Sequence, residues 1–539
     1  MAYISRKQFL KFGVAALAVA ASGKIWFQKK ILAIQMQASN ANIGHLLRNK
    51  KTSSELLAKH TITDSTETRV AIIGGGISGL SAARILKKNN IPFVLLELNN
   101  QPGGNAISGK NEVSAYPWGA HYLPIPNLYQ PELINFLTET GVITETNELG
   151  LPVYNDYYLC SAPEERLFIH HYWQEGIIPE TALKEQDHRD IKTFFELISH
   201  YKNAIGSDQK EAFCIPIENS SQDLEFLKLD KQTMADFLLQ HELKSTYLLW
   251  YLNYCCKDDF GTPLNKTSAW AGIHYFASRK GIAANATAGD VLTWPEGNNF
   301  LVQGLTKPIK QNILENALVV DVNQKPNEIE ILYLNHAKNT YHKIICKQAI
   351  IATPQYINKK IIRNYPLTHL NFDYFPWLVA NITTLPLAQN KGTEMSWDNV
   401  LYTSESLGYV NACHQHLDSK IPKYVLTYYL PLCKLSAKEE RKLAFEKTQE
   451  EWAEIVLKDL EKAHPDLRQQ IEKIDLKVWG HAMISPQTGV IWNTEKKQFL
   501  NNSEPIYYAH SDLSGISIFE EAFYQGTKAA QQICKQQVL

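Results

Sequence analysis

The chain has 539 residues, 45% hydrophobic, 11% aromatic and 20% charged, which at about 150 residues per domain supports two or more cores and excludes a disordered tail or a peptide-sized module. Its 54 Lys and Arg against 55 Asp and Glu leave a net charge of −1, so there is no global positive field to hold nucleic acid, and none is expected as a partner. The eight cysteines, Cys160, Cys214, Cys255, Cys256, Cys346, Cys413, Cys433 and Cys534, contain no CxxC pair. Their spacing builds neither a zinc ribbon nor a thioredoxin-type site, and the vicinal Cys255 and Cys256 read as core packing.

At the N-terminus, Ser5-Arg6-Lys7-Gln8-Phe9-Leu10-Lys11 precedes an uncharged stretch from Phe12 to Gly23 rich in Ala, Val and Leu. A spanning helix needs about 20 apolar residues, so this shorter run reads as the hydrophobic region of an export signal over residues 1–23, with small residues at Ala18, Ala20 and Ala21 for cleavage. The segment resembles a twin-arginine signal with Lys7 in place of the second arginine. The expectation is an exported protein, periplasmic or held at the outer face of the inner membrane, with membrane association if the segment stays uncleaved. Residues 24–66 lack sustained apolar periodicity and read as a linker.

Arg69-Val70-Ala71-Ile72-Ile73 is a short β-branched run that leads straight into Gly74-Gly75-Gly76-Ile77-Ser78-Gly79 and a helical pattern from Leu80 to Lys88. This strand, turn and helix is a dinucleotide fingerprint: Gly74 allows the tight turn, Gly76 lets backbone N–H groups approach a pyrophosphate, and Gly79 lets the helix pack on the strand. Ser78 stands in the first helical turn, where the helix N-terminus faces phosphate charge. A second strand, Phe93 to Leu96, ends in Glu97, 18 positions beyond Gly79, close to the spacing of about 20 at which a carboxylate holds ribose hydroxyls.

Two further segments join these: Pro102-Gly103-Gly104, and Ile506-Tyr507-Tyr508-Ala509-His510-Ser511-Asp512-Leu513-Ser514-Gly515 ahead of Phe519-Glu520-Glu521-Ala522. Together with the fingerprint they resemble the FAD-binding set of the flavin-containing amine oxidase superfamily, which also holds phytoene desaturase-like and protoporphyrinogen oxidase-like enzymes. In the middle of the chain, Leu318-Val319-Val320-Asp321-Val322 resembles the strand whose backbone meets adenine, with Val319 at that position. Ala349-Ile350-Ile351-Ala352-Thr353-Pro354 resembles a further family strand. The resemblance implies FAD as cofactor, Asp512 on its ribitol chain and the Phe519 amide near its pyrimidine carbonyl. A helix N-terminus aimed there stabilises the negative charge of reduced flavin. No second GxGxxG follows a strand, so oxygen or a quinone-like acceptor is expected to take the electrons.

The chain departs from that pattern in several places. Gln101 and Asn105 stand where many relatives carry arginines, Asn381 stands where amine oxidases often carry a lysine, and Ile518 replaces a tyrosine of their aromatic cage. The remaining candidates are aromatic: Trp270, His274, Tyr275, Trp294, Trp397, Trp479, His481 and Trp492. Trp479 and His481 are the favoured catalytic pair, because the resemblance brings this segment to the flavin and a histidine can orient substrate or accept a proton. Asp258-Asp259 could bind a cationic substrate at a pocket mouth, yet before Phe260-Gly261-Thr262-Pro263 the pair reads as turn chemistry. His414 and His416 lack a third ligand, and no metal is expected.

The order of these motifs predicts an α/β architecture: a Rossmann-like FAD-binding domain assembled from residues 67–125, 290–355 and 476–539, with an α+β substrate domain containing a mixed sheet from residues 126–289 and 356–475. A single helix is expected from the capping box Ser436-Ala437-Lys438-Glu439 to Pro465, with Trp452, Ile455, Val456 and Leu460 on its apolar face. The function expected is an FAD-dependent oxidoreductase acting on a small-molecule amine or polyamine. The alternatives are a desaturase or isomerase of an apolar substrate, or a flavin-binding envelope protein without turnover.

Overall fold

Strand alternation and glycine placement organise one end of the molecule. The computed structural model describes residues 32–37, 41–48, 61–388, 391–417, 422–496 and 504–536; the expected export signal lies outside them. A seven-stranded sheet runs in the order Ile313–Leu314, Phe93–Leu96, Ile62–Ile73, Thr340–Ile351, Ile329–Asn335, Ala317–Gln324, with Ile506–Tyr508 pairing the end of Thr340–Ile351. The strands ending at Leu96, Ile73, Ile351 and Tyr508 are parallel, and these four residues stand side by side in register. The residues that follow them, Glu97, Gly74, Ala352 and Ala509, therefore emerge along one edge, the carboxyl edge at which open α/β sheets bind ligands.

Side chains along these strands alternate between two cores, as the period of two requires. Val70, Ile72, Leu95, Ile350 and Tyr507 face helices Ile77–Lys88 and Phe519–Lys535, meeting Leu80, Ala83, Phe523 and Ala530. Ala71, Ile73, Leu96 and Ile351 face the opposite side and pack with Leu318, Val322 and Ile331 of the antiparallel hairpin. The two helices approach so closely that a Cβ on Gly526 would lie 1.9 Å from the Ser78 carbonyl oxygen.

A second, eight-stranded mixed sheet has the order Ala33–Met36, Ile471–Ile484, Tyr374–Thr384, Tyr424–Pro431, Tyr409–Asn411, Asp398–Leu401, Glu165–Ile169, Tyr172–Glu175. Its central strand, Tyr374–Thr384, is buried along its whole length. Leu378, Ala380 and Ile382 pack against Trp452, Val456 and Leu460 of the covering helices, while Trp377 and Val379 face the other way with Trp397 and Tyr429. A third core is helical, built by Glu185–Asn203, Met234–Gln240, Thr246–Phe260 and Ala269–Ala277 around Phe194, Phe237, Phe260 and Trp270.

The α/β class and the mixed second sheet agree with expectation; three boundaries differ. Ala33–Met36 and the first residues of Ile62–Ile73 are strands although they fall in the expected linker, because parallel pairing with Lys473 to Leu476 and with Tyr341 onward satisfies their backbone. Residues 476–484, assigned to the cofactor-binding pieces, complete the strand Ile471–Ile484 of the second sheet, since their partner strand Tyr374–Thr384 extends that far. The single helix expected from Ser436 is two, Ala437–Glu446 and Gln449–Leu460. Thr448 and Glu451 form a second reciprocal capping box that starts a new helix where the first stops at Lys447.

Candidate active site

The cofactor edge begins at Gly74, whose φ of +104° is open to glycine at little cost and whose Cβ would meet the Ala352 carbonyl oxygen at 2.7 Å. A Cβ on Gly79 would strike the Gly74 carbonyl oxygen at 1.9 Å, whereas one on Gly76 would find no atom within 4 Å. The space beside Gly76 is thus kept open by the fold. Helix Ile77–Lys88 starts at that open space with Gly76 as N-cap and no side chain capping its first amides, which leaves donors and a positive dipole end for a phosphate. Ser78 is buried in that first turn.

Neighbouring groups complete this edge. Glu97 is buried, with Oε2 accepting from the Gly75 N–H and Oε1 from the Asn99 N–H, both at 2.8 Å. Burial raises its pKa, against the pull of those amides. Gly103 donates its N–H to the Gly75 carbonyl at 2.8 Å, and Gly104 comes within 3.3 Å of the Gly76 Cα when a Cβ is added. Val319 immediately precedes a β-bulge between Val319 and Asp321, and its strand is tied to Glu97 by the Ala317 N–H to the Glu97 carbonyl at 2.8 Å. Asp512 is fully buried: Oδ2 accepts from the Gln355 N–H at 2.9 Å and from the Tyr374 hydroxyl at 2.5 Å. Among the described residues Oδ1 has only His510 Nδ1 beside it, at 3.1 Å, and that nitrogen also takes the Asp512 backbone N–H. Helix Phe519–Lys535 opens with no side-chain cap at Ile518. The open cradle at Gly76, two uncapped helix starts and an orphaned acceptor on Asp512 suit a dinucleotide that brings phosphates and hydroxyl donors.

Beside this edge lies a cleft with an empty volume of about 820 Å³. Asn105, Gly119 and Phe519 bound it on the nucleotide side, Trp377, Tyr429 and Trp479 from the second sheet, and Asp258 and Asp259 from the end of helix Thr246–Phe260. The aromatic wall is built by hydrogen bonds to one loop: Trp479 Nε1–H donates to the Trp118 carbonyl at 2.5 Å and the Tyr429 hydroxyl to the Gly119 carbonyl at 2.9 Å. His121 stacks on Tyr429 with ring centroids 4.6 Å apart. Burial lowers its pKa to about 4, so it is neutral at pH 7.

The charged lining is mostly acidic. Asp258, Asp259 and Glu520 face the cleft with Arg279, whose Nη2 donates to both Asp259 carboxylate oxygens, at 2.8 and 2.9 Å. Burial, then the adjacent Asp259, raises Asp258 to about 7, and burial raises Glu520 to about 7.

A family model for flavin containing amine oxidoreductase matches residues 77–534. The chain belongs to that family. It is 24% identical over 325 residues to an amine oxidase [flavin-containing] of Oncorhynchus mykiss, a match covering 56% of this chain and 53% of that protein, so the chain spans about half the length of this relative. Its fold is similar to that of putrescine oxidase bound to putrescine, at 14% identity and a TM-score of 0.63 over 87% of this chain and 100% of the other. It is also similar to a fatty acid isomerase from P. acnes, at 14% identity and a TM-score of 0.59 over 86% and 98%.

In this flavin-containing amine oxidoreductase the cofactor is FAD. The residues named from sequence for the nucleotide, Gly74, Gly76, Ser78, Gly79, Glu97, Gly103 and Gly104, gather around one sheet edge; Phe519 lines the cleft, and Asp512 is buried against Gln355 and Tyr374. Of the eight aromatic candidates, Trp479 alone lines the cleft. His481 lies outside that lining, stacked on Tyr356 at 4.3 Å, and burial holds its pKa near 3. Asn381 is buried between the Pro117 carbonyl and the Thr427 hydroxyl. Lys477, in register with Val379 on the next strand, puts its Nζ 4.6 Å from the centroid of Trp479, and burial lowers its pKa.

Tyr429 and His121 were not singled out from sequence, and Asp258 and Asp259 were set aside there as turn residues although they line the cleft. The acidic pair is not in a turn but in the last turn of a helix closed by Gly261 at φ +59°. Its signal was available: carboxylates at a helix C-terminus oppose the dipole, an arrangement that calls for an explanation beyond local structure.

Proposed function

We propose that the protein oxidises an amine, removing a hydride equivalent from the carbon beside nitrogen. The observation that carries this is the charge of the cleft: three carboxyls face it, and its arginine is already paired with one of them. Such a wall attracts an ammonium and repels a carboxylate. This disfavours fatty acids and other acid-bearing substrates, and it separates amine oxidation from the alternative of an isomerase or desaturase on this fold.

FAD supplies the two-electron acceptor when bound. The chain's own groups do the rest. Trp377, Tyr429 and Trp479 wall the cleft with apolar surface and limit water, which strengthens electrostatic interactions inside. The start of helix Phe519–Lys535, which has no side-chain cap at Ile518, would offer backbone amides and a positive dipole end to the negative charge of reduced FAD. The amine must present an uncharged nitrogen for its α C–H to leave as hydride; the balanced change is R–CH2–NH2 to R–CH=NH with two electrons and two protons removed, and water then releases aldehyde and ammonia. Asp258 and Glu520, with pKa values near 7, are placed to take up the proton that an entering ammonium gives up. Oxygen or a quinone-like acceptor completes the proposal, as does export directed by residues 1–23.

Product analysis tests the reading. Holoenzyme incubated with primary amines is expected to yield aldehyde and ammonia in equal amounts and to leave linoleate unchanged. Isomerised or desaturated linoleate with no aldehyde from any amine would reject it in favour of the alternative.

A further inference from the structure

We propose that His121 receives the reacting nitrogen: its Nε2 accepts an N–H of the bound amine, so that the cleft selects amines that still carry an N–H when uncharged. This rests on the amine-oxidising reading and gives it a residue and a selectivity.

The tautomer of His121 follows from its partner. Nδ1 lies 3.3 Å from the Gly119 carbonyl oxygen, and a carbonyl only accepts, so Nδ1 carries the proton and Nε2 the lone pair of the neutral ring. The ring is clamped. Tyr429 stacks on it with centroids 4.6 Å apart, Tyr122 meets it edge-on at 5.1 Å, and Trp397 lies at 5.7 Å. The Tyr429 hydroxyl sits on the same Gly119 carbonyl at 2.9 Å, so one peptide oxygen orients both rings. Among the described residues nothing donates to Nε2. The donors that share the cleft are spent elsewhere: the Tyr122 hydroxyl on Asp258 at 3.2 Å and Arg279 Nη2 on Asp259. A fixed acceptor with no donor, in a wall of aromatic carbon, is satisfied by a donor that the ligand brings.

Its place fits the reacting end of an amine. His121 lines the cleft two residues beyond Gly119, in a loop tied to the nucleotide side by the Ala120 N–H on the Asn105 carbonyl at 3.0 Å. The charged groups of the cleft, Asp258, Asp259, Glu520 and Arg279, lie apart from that loop at the ends of other elements. The entering ammonium R–CH2–NH3+ gives one proton to a carboxylate. The nitrogen then has a lone pair and two N–H groups, and aiming one N–H at Nε2 fixes the direction of the lone pair that drives hydride from the neighbouring carbon. The product R–CH=NH2+ keeps both N–H groups, so His121 holds a hydrogen bond and moves no proton. An uncharged tertiary amine has no N–H to give and sets carbon against Nε2, which loses the contact and strands the acceptor.

The test compares kcat/KM, read as anaerobic flavin reduction, for N-methylbutylamine and N,N-dimethylbutylamine in wild-type holoenzyme, His121→Phe and His121→Gln. Wild type is expected to prefer the secondary amine by about 100-fold. His121→Phe keeps an aromatic stack without the acceptor, and it should lower that preference by about 30-fold, chiefly through kcat, with part of it regained in His121→Gln. Binding of tert-butylamine, which has no hydrogen on the carbon beside nitrogen, reads the same contact without turnover as a shift of the flavin band, and should weaken by about 10-fold in His121→Phe. His121→Leu serves as the second variant if His121→Phe does not fold. Equal oxidation of the two amines by wild type, or a preference unchanged in His121→Phe, would overturn the assignment of His121 and leave amine oxidation standing. Binding of tert-butylamine that weakens in His121→Phe, with no amine oxidised, would uphold the contact and overturn the oxidation. Neither binding nor oxidation would overturn both.

Discussion

The two sides of the cleft are built by opposite means. On the nucleotide side the recognising groups are backbone amides and carbonyls at the ends of parallel strands and helix starts, with glycines clearing space; on the far side they are the carboxyl side chains at the end of helix Thr246–Phe260 and the amide of Asn298. A backbone site is fixed by the fold and suits one invariant ligand, here FAD. A side-chain site is fixed by a few replaceable residues, and that is where specificity resides. The same contrast decides what a mutation does: on one side it acts through space and conformation, on the other through charge.

The sharpest way to break the contrast is at two glycines three positions apart. Gly79→Val drives a side chain into the Gly74 carbonyl and is expected to prevent folding, read as loss of soluble protein. A Cβ on Gly76 meets no atom of the described residues within 4 Å, so the Gly76→Val apoprotein is expected to fold with an unchanged melting temperature and to retain no flavin. A flavin-replete Gly76→Val protein would remove the pyrophosphate assignment. Asp512→Ala is expected to weaken flavin retention by about 10- to 100-fold, because it deletes the orphaned acceptor and also frees Tyr374 and the Gln355 amide; unchanged retention would return Asp512 to a role in local structure.

Charge on the far side predicts a stability effect that depends on pH. Asp258, faced by Asp259, Arg279, Tyr122 and Glu165, has a pKa raised to about 7. The folded chain thus binds more protons than the unfolded one between about pH 4 and pH 7, so stability falls as pH rises through that window, and the cost is complete above it. Asp258→Asn removes the titration and is expected to be more stable than wild type by about 1–3 kcal/mol at pH 8 and by little at pH 4. Equal melting temperatures at both pH values would show that Asp258 is not buried as a carboxylate. The smallest effect belongs to neither side: Thr448→Ala removes the cap that separates the two outer helices and should cost about 1 kcal/mol, read by thermal melting.

These differences also explain what the sequence disclosed. The nucleotide side is encoded locally, in consecutive residues whose spacing follows from the strand, turn and helix they form, so Gly74 to Gly79, Glu97 and Asp512 were legible. The aromatic and acidic lining is not local: Tyr429 and Trp377 come together only because neighbouring strands align them, and Asp258 shares the cleft with Asn298, 40 residues on, and with Glu520, 262 residues on. His481 misled because its strand bulges between Trp479 and Met483, opposite Trp377 and Phe375, and the period of two breaks there; Trp479 faces the cleft while His481, two residues on, stacks on Tyr356. The helix break at Thr448 was legible and was overlooked, since its capping box repeats the pattern read at Ser436.

Whether the cleft brings an amine to bound FAD is measured most directly by the anaerobic visible spectrum of the purified holoenzyme before and after adding 1,4-diaminobutane. Bleaching of the oxidised flavin band at a rate that saturates with diamine is the predicted result. A band that stays intact with this diamine and with every monoamine, yet is bleached by chemical reductant, would contradict it.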